Sequence, residues 1–268
     1  NINNGLFTSE AVSAGHPDKL CDRISDAILD EFLVRDKHAR VACETFAADG
    51  KIIVAGEFRT KNPQHFKQVE ELTPEIVRRT LRQIGYGTQE LDIDPDTCEI
   101  EVRFNHQSPQ IAAGVDQADQ VLGAGDQGLM FGYASDETPH LTPLAWTLAT
   151  ALIAEGTKLV HQPNSVLRPD AKSQVTLRYE DGRVVGVQTV VLSWQHQPGL
   201  DVAQVRSYLT SEVIDRVIPR ALRTSDFRTL INPAGAWSVG GPKGDTGLTG
   251  RKIIVDTYGG SCPHGGGA

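Results

Sequence analysis

The chain has 268 residues, and its 26 Lys plus Arg against 34 Asp plus Glu give a formal net charge of −8. This weighs against a general nucleic-acid surface, so any anion must be held by a local cluster of cations. Hydrophobic residues make up 39%, enough for a sizeable core and compatible with two domains; no apolar run of membrane-spanning length and no signal peptide occurs, which reads as a cytoplasmic chain that meets no membrane. The cysteines, Cys21, Cys43, Cys98 and Cys262, lack CxxC spacing and read as reduced packing thiols rather than zinc ligands or disulfides.

In chain order, Pro17 opens the first predicted helix, where a first-turn proline is tolerated, and Ile24, Ala27, Ile28 and Phe32 form its apolar stripe. Val41 to Glu57 reads as a hairpin turning at Asp49-Gly50. A second helix is predicted to begin after Thr73-Pro74 and to carry Ile76, Val77, Leu81 and Ile84 on one face. The stretch from Gln107 to Phe131 breaks the periodicity with glycines at 114, 123, 125 and 128, so Gln107 to Gln120 is predicted to be a mobile lid and Gly123 to Gly128 its ordered end. Gln174 to Val191 repeats the hairpin around Asp181-Gly182, and a helix after Asp201 carries Val205, Leu209, Val213 and Val217. The turn at 181 lies 132 residues after the turn at 49, which predicts two related α+β units of about that size. The glycine-rich run Gly241 to Gly250 leads through Arg251-Lys252 into Ile253-Ile254-Val255, read as an apolar strand.

That last run has the make-up of a phosphate site. Its glycines let backbone N–H groups close on an anion, Arg251 and Lys252 supply positive charge, and Asp245 is available for ribose hydroxyls or an ammonium group. His16 falls at or just before the cap of the first helix, between Gly15 and the pair Asp18-Lys19, where free N–H groups and the helix dipole favour an anionic chain. Asp18 there suits Mg²⁺ bound to polyphosphate, which takes few protein carboxylates. The residues alone leave other readings open: His16 as a structural histidine, Lys172 as a solvated strand-edge lysine, Glu44 as an outward strand residue and Trp237 as a core or interface residue.

Five stretches resemble the S-adenosylmethionine synthetase (methionine adenosyltransferase) family when taken together. They are Ser13-Ala14-Gly15-His16-Pro17-Asp18-Lys19, Gly123 to Ala134 (GAGDQGLMFGYA), Arg168-Pro169-Asp170-Ala171-Lys172-Ser173-Gln174-Val175, Gly244 to Gly260 (GDTGLTGRKIIVDTYGG) and His264 to Ala268. The match runs from about Leu6 to the last residue and is of bacterial type. It implies an α+β fold of repeated sheet-plus-helices units about a pseudo-threefold axis. The expected division is 1–107 as an N-terminal unit, 108–122 as a flexible gating loop, 123–235 as a central unit and 236–268 as the start of a third, incomplete unit. In that family the sequence after HGGGA continues with further lysines and an aspartate of the site, so the chain is expected to be part of a longer one.

The resemblance implies ATP and L-methionine as substrates, S-adenosylmethionine as product, and hydrolysis of the tripolyphosphate to pyrophosphate and phosphate. It also implies a pair of Mg²⁺ ions, K⁺, and a homodimer or homotetramer with active sites at the dimer interface. By the same resemblance His16, Lys172 and Asp126 are catalytic, with Asp126 near the forming sulfonium charge. Glu57, Gln107 and Asp245 hold methionine. ATP falls to His16, Asp170, Ala171, Lys172, Ala236, Trp237, Asp245, Arg251, Lys252 and Ala268, with Trp237 against the adenine where the family usually has phenylalanine. Asp18 is the Mg²⁺ carboxylate and Glu44 the K⁺ ligand. A non-catalytic regulatory relative would be expected to lose His16, Asp18, Lys172 or Asp126, and all four are present. A generic ATPase or kinase would show a Gly-x-x-x-x-Gly-Lys-Ser/Thr loop, and none occurs.

Overall fold

The computed structural model describes residues 3–87, 90–108 and 127–266. The chain divides into two compact units, and both are mixed α+β. A leading unit comprises Pro17–Met130, Pro242–Arg251 and Gly265–Ala268; a middle unit comprises Asn1–His16, Phe131–Gly241 and Lys252–His264.

In the leading unit, helix α1 (Pro17–Arg35) is followed by the hairpin β2 (Arg40–Ala48) and β3 (Lys51–Arg59), helix α2 (Pro63–Ile84) and strand β4 (Glu99–His106). β2 and β3 pair antiparallel, and the turn between them places Asp49 and Gly50 at φ 23° and 79°. This left-handed geometry is what Asp-Gly supplies at low cost. β4 runs parallel to β3, which requires the crossover that α2 provides, and the two-residue β8 (Gly247–Leu248) closes the other side against β2. Of the stripe read on α1, Ile24, Ile28 and Phe32 are fully buried, with Leu20 beside them, while Ala27 is half-buried. Phe32 stacks on Phe58 at 4.8 Å between ring centroids, and Phe58 meets Phe104 at 4.2 Å.

Helix α2 begins earlier than the sequence pattern predicts. Asn62 caps it by accepting from the Gln64 N–H, Pro63 occupies the first turn, and Pro74 lies inside the helix. Pro74 removes one backbone donor, but the burial of Phe66, Val69 and Thr73 before it and of Ile76, Val77 and Leu81 after it holds both halves on one core. The helix ends at Gly85 with φ 107°.

The middle unit repeats the plan. Helix α3 (Leu144–Val160) precedes the hairpin β5 (Leu167–Glu180) and β6 (Arg183–His196), then helix α4 (Val202–Leu209) and strand β7 (Arg223–Ile231). β7 is parallel to β6, and the fourth strand, β1 (Gly5–Val12), pairs antiparallel with β5 from Gly5↔Tyr179 to Val12↔Lys172. The turn places Asp181 and Gly182 at φ 48° and 74°. The internal echo read from the sequence is therefore a repeated α-β-β-α-β topology with a strand from elsewhere in the chain added to the first hairpin strand. Asp201 caps α4 through the Ala203 N–H, and Val205, Leu209 and Val213 are buried; the helix widens into a π turn at Thr210–Ile214.

Two further expectations are corrected. β5 starts at Leu167 rather than near Gln174, because an irregularity between Leu167 and Ala171 admits Pro169 without a lost ladder bond. Ile253–Asp256 is a short helix, α5, not a strand: among the described residues no strand pairs with it, and the Val255 carbonyl instead accepts from the Trp146 indole at 2.6 Å. All four cysteines are unpaired thiols, and burial pushes Cys43 up to about 12. Among the described residues no helix is long and apolar enough to cross a membrane.

Gly156 decides how α3 sits on its sheet. A Cβ built there would lie 2.2 Å from the ring of fully buried Trp194. Gly156→Ala, although it favours helix intrinsically, is expected to destabilise the protein by about 1–3 kcal/mol through overpacking, read as a lower urea midpoint with an unchanged slope.

Candidate active site

The middle unit holds most of the residues expected to bind ATP. The segment Ser13–His16 leaves the end of β1 and is tied to the irregular start of β5. The Ser13 hydroxyl donates to the Pro169 carbonyl at 2.6 Å and accepts from the Ala171 N–H at 2.8 Å, while the Ser13 N–H donates to the Ala171 carbonyl at 2.9 Å. Gly15 lies so close to this strand that a Cβ would meet the Pro169 carbonyl group at 2.4 Å. His16, whose N–H donates to the Ser13 carbonyl at 3.1 Å, is thereby held buried, 4% exposed. Asp170 and Ala171 are buried as well, and Lys172, opposite Val12 and Ser193, is exposed.

A second strand end organises the segment after β7. Asp170 accepts from the Gly241 N–H at 2.8 Å, and fully buried Gln195 donates to the Ser238 carbonyl at 3.0 Å and accepts from the Asp170 N–H at 3.3 Å. His196 grips Trp237 on both sides of the peptide: its N–H donates to the Trp237 carbonyl at 2.9 Å, and its Nε2 accepts from the Trp237 N–H at 3.0 Å. These partners fix the tautomer, with the ring proton on Nδ1, which donates to the Gln197 carbonyl at 2.8 Å. Trp237 is half-buried beside exposed Ala236, and Lys252 stands half-buried at the start of α5.

The leading unit holds the remaining expected residues. Asp18, 4% exposed in the first turn of α1, accepts from the Leu248 N–H at 3.0 Å, and Arg251 Nε lies 3.9 Å from the same oxygen. Asp22, one turn on, accepts from the Gly250 N–H at 2.8 Å and pairs with Lys19 at 3.2 Å. Asp245 is exposed and accepts from the Thr246 N–H at 2.9 Å. Glu57 is exposed on β3, and Gln107 follows β4 with its N–H on the Phe58 carbonyl at 2.9 Å. The Gln107 Oε1 is buried with no hydrogen-bond partner among the described residues. Glu44 stands on the outer face of β2, where partial burial first, then the charges of Asp22 and Glu57, raise its carboxyl above the usual range. Among the described residues no group of three or more His, Cys, Asp or Glu is gathered for a metal. Asp126, Ala268 and most of the predicted lid lie outside the described residues.

Residues 4–109 match the family model "S-adenosylmethionine synthetase, N-terminal domain", 121–237 match its central domain and 239–268 its C-terminal domain. The S-adenosylmethionine synthase of Helicobacter hepaticus is 48% identical over 265 residues, which cover 98% of this chain and 67% of that protein. Those of Desulforudis audaxviator and Mesoplasma florum are 48% and 47% identical over 275 and 264 residues, again 98% of this chain and 68% of each. The chain belongs to the S-adenosylmethionine synthetase family.

Around the residues that carry the synthetase resemblance, the structure adds supports that the sequence does not announce: Ser13, Gln195, His196 and Asp22. Each acts on backbone groups far away in the chain, up to 228 residues for Asp22 with Gly250. Only the buried strand-end run Trp194-Gln195-His196 carries a visible signal, polar side chains closing an otherwise apolar strand.

Ser13→Ala leaves the Pro169 carbonyl and the Ala171 N–H without their side-chain partner in a buried place. The expected cost is about 1–3 kcal/mol, measured by urea unfolding, with no change in slope. Full stability in this variant would mean that the Ser13 hydroxyl does not hold the two segments together.

Proposed function

We propose that the protein catalyses ATP:L-methionine S-adenosyl transfer, and the observation that carries this reading is identity near 48% to S-adenosylmethionine synthases across 98% of the chain. The methionine sulfur attacks C5′ of ATP, the C–S bond forms as the C5′–O bond breaks, and the triphosphate leaves with the bonding pair. A thioether has no proton to lose, so no general base is required. What the protein must supply is alignment of the reactants and neutralisation of charge on the departing chain.

Burial and hydrogen bonding of His16 in the Ser13–Gly15 turn support a fixed contact to the leaving oxygen, and the exposed Lys172 and Arg251 support contacts to the phosphates, with Lys252. Asp170, Ala171, Ala236 and Asp245 complete the proposed nucleotide contacts with Ala268. Trp237, anchored through its backbone, keeps its indole available to stack on adenine. The unpartnered Gln107 Oε1, with Glu57 and Asp245, suits the methionine ammonium. Asp126 is proposed to face the sulfonium. Tripolyphosphate hydrolysis before release, a homodimer or homotetramer with sites at the interface, a cytoplasmic location and a third repeat about a pseudo-threefold axis belong to the same reading, the last supported by the twofold repetition of the α-β-β-α-β plan.

The donor chemistry fits the implied ions. Asp18 has one carboxylate oxygen on the Leu248 N–H, which suits Mg²⁺ held by a single protein carboxylate and by substrate phosphates. Such an ion would add positive charge against the triphosphate when bound. The mutual repulsion of Glu44 with Asp22 and Glu57 is the field that a monovalent cation would relieve.

Methionine-dependent formation of a sulfonium product tests the activity; phosphate release from ATP that is indifferent to methionine would defeat it. His16→Ala or Lys172→Ala is expected to slow sulfonium formation by about a hundredfold or more with a smaller effect on methionine binding, because the charge they meet grows toward the transition state. A normal single-turnover rate would remove that residue from the mechanism.

Glu44 provides a separate check. Its carboxyl is raised in the folded protein, so its contribution to stability is present at acid pH, below its unfolded value, and is lost as pH rises through the raised value. At neutral pH without K⁺, Glu44→Gln is expected to melt no lower than the parent protein. K⁺ is expected to raise the melting temperature of the parent and not of the variant; equal stabilisation of both would remove Glu44 from the cation site.

A further inference from the structure

The ribbon Gly247–Arg251 carries the phosphate-binding arginine, yet three of its five residues belong to no strand or helix. Its order comes from elsewhere in the leading unit. A Cβ on Gly247 would lie 2.1 Å from the Pro17 carbonyl oxygen, so the ribbon is pressed onto the first turn of α1. Its next three N–H groups each have a fixed acceptor: Leu248 donates to Asp18 at 3.0 Å, Thr249 to the Thr45 carbonyl at 3.0 Å and Gly250 to Asp22 at 2.8 Å.

The Thr249 side chain joins a set of hydroxyls that no part of the chemistry uses. Thr249 Oγ1 accepts from the Thr45 N–H at 2.8 Å and lies 2.9 Å from Ser25 Oγ, which is itself 2.9 Å from Thr45 Oγ1. Thr45 and Ser25 are 1% and 7% exposed. One arrangement gives every hydroxyl proton an acceptor: Thr45 donates to Ser25, Ser25 to Thr249, and Thr249 to the Thr45 carbonyl at 3.4 Å. The set therefore locks α1, β2 and the ribbon together one residue before Gly250, whose φ of 76° turns the chain toward Arg251. Arg251 remains 57% exposed, its position set by the backbone behind it rather than by packing of its own.

We propose that Thr249, braced by Ser25 and Thr45, is a positioning residue that fixes where Arg251 presents its guanidinium. This rests on the transferase reading. It goes beyond that reading in assigning a role to half-buried Thr249 and two buried hydroxyls that the proposed chemistry does not use. A loss of the lock displaces the arginine relative to the triphosphate without removing its charge, and misplacement of about 1 Å can cost on the order of a hundredfold in rate.

The test is a double-mutant cycle on sulfonium formation. Thr249→Val keeps the shape and deletes the hydroxyl; it is expected to lower kcat/KM for ATP by about tenfold or more, to leave KM for methionine within about twofold, and to be rescued by Thr249→Ser. Ser25→Ala, which acts on the ribbon through Thr249, should move the same parameter in the same direction by less. In an Arg251→Ala background Thr249→Val should cost little further, since the group it positions is gone. A parent protein that makes no sulfonium product defeats the transferase reading itself. Given an active parent, three results overturn the inference alone: normal ATP kinetics in folded Thr249→Val, full additivity with Arg251→Ala, or a loss that tracks only the folded fraction and is not rescued by serine.

Discussion

In an α-β-β-α-β unit the parallel third strand covers one side of the hairpin and leaves the outer edge of its first strand with unpaired backbone groups. Both units meet this demand with a strand from elsewhere in the sequence, β1 on β5 and β8 on β2. An open edge of this kind invites association, and covering it is a general requirement of such sheets. Here the covering strands also deliver chemistry. The chain leaving β1 is the Ser13–His16 turn, and the chain leaving β8 is the ribbon that ends in Arg251. Sheet closure and placement of the residues proposed to bind the nucleotide are the same event in each unit.

The supports around these segments share a physical logic. Few of the expected ligands are positioned by apolar packing of their own side chains. Instead, buried or half-buried polar side chains bind the backbone beside them: Ser13 beside His16, Asp170 at Gly241, His196 at Trp237, and Asp18 with half-buried Asp22 on the ribbon. A backbone fixed in this way leaves the functional side chain free to meet a polyanion, and it satisfies N–H and C=O groups that irregular segments would otherwise bury unpaired. Asp18 shows how closely the two tasks lie, since the carboxylate proposed for the metal already holds the Leu248 amide.

Much of the fold was legible because its signals are local. Asp49-Gly50 and Asp181-Gly182 require positive φ and announce their hairpins, and the stripe on α1 is periodic over the whole helix. The failures have local causes too. Thr73-Pro74 looks like a helix start, and only the packing of Phe66 and Val69 onto the same core shows that α2 is already under way. Ile253-Ile254-Val255 has the composition of a strand, but strand formation needs a partner and among the described residues none pairs with it. The glycine-rich run with Arg251 and Lys252 and the helix start at His16 and Asp18 suggest an anion site by themselves, whereas roles for Lys172, Glu44, Glu57 and Gln107 could be read only through the family resemblance. Ser25, Thr45 and Thr249 could not, since single hydroxyl residues separated by up to 224 positions carry no pattern until the chain folds.

The two covering strands differ greatly in length. β1 is an eight-residue strand paired along its whole length, so the amides it directs at β5 are protected until that whole pairing is lost. β8 contributes two residues, and what lies beyond them is fastened by side chains on α1 and by the Thr45 backbone of β2. The leading unit therefore has a low-energy opening available to it that the middle unit lacks: release of a few side-chain contacts frees the arginine-bearing ribbon while the hairpin and both helices stay folded. If the ribbon binds the triphosphate as proposed, closure on the nucleotide would suppress this local opening, and protection of the Leu248 to Gly250 amides would report it.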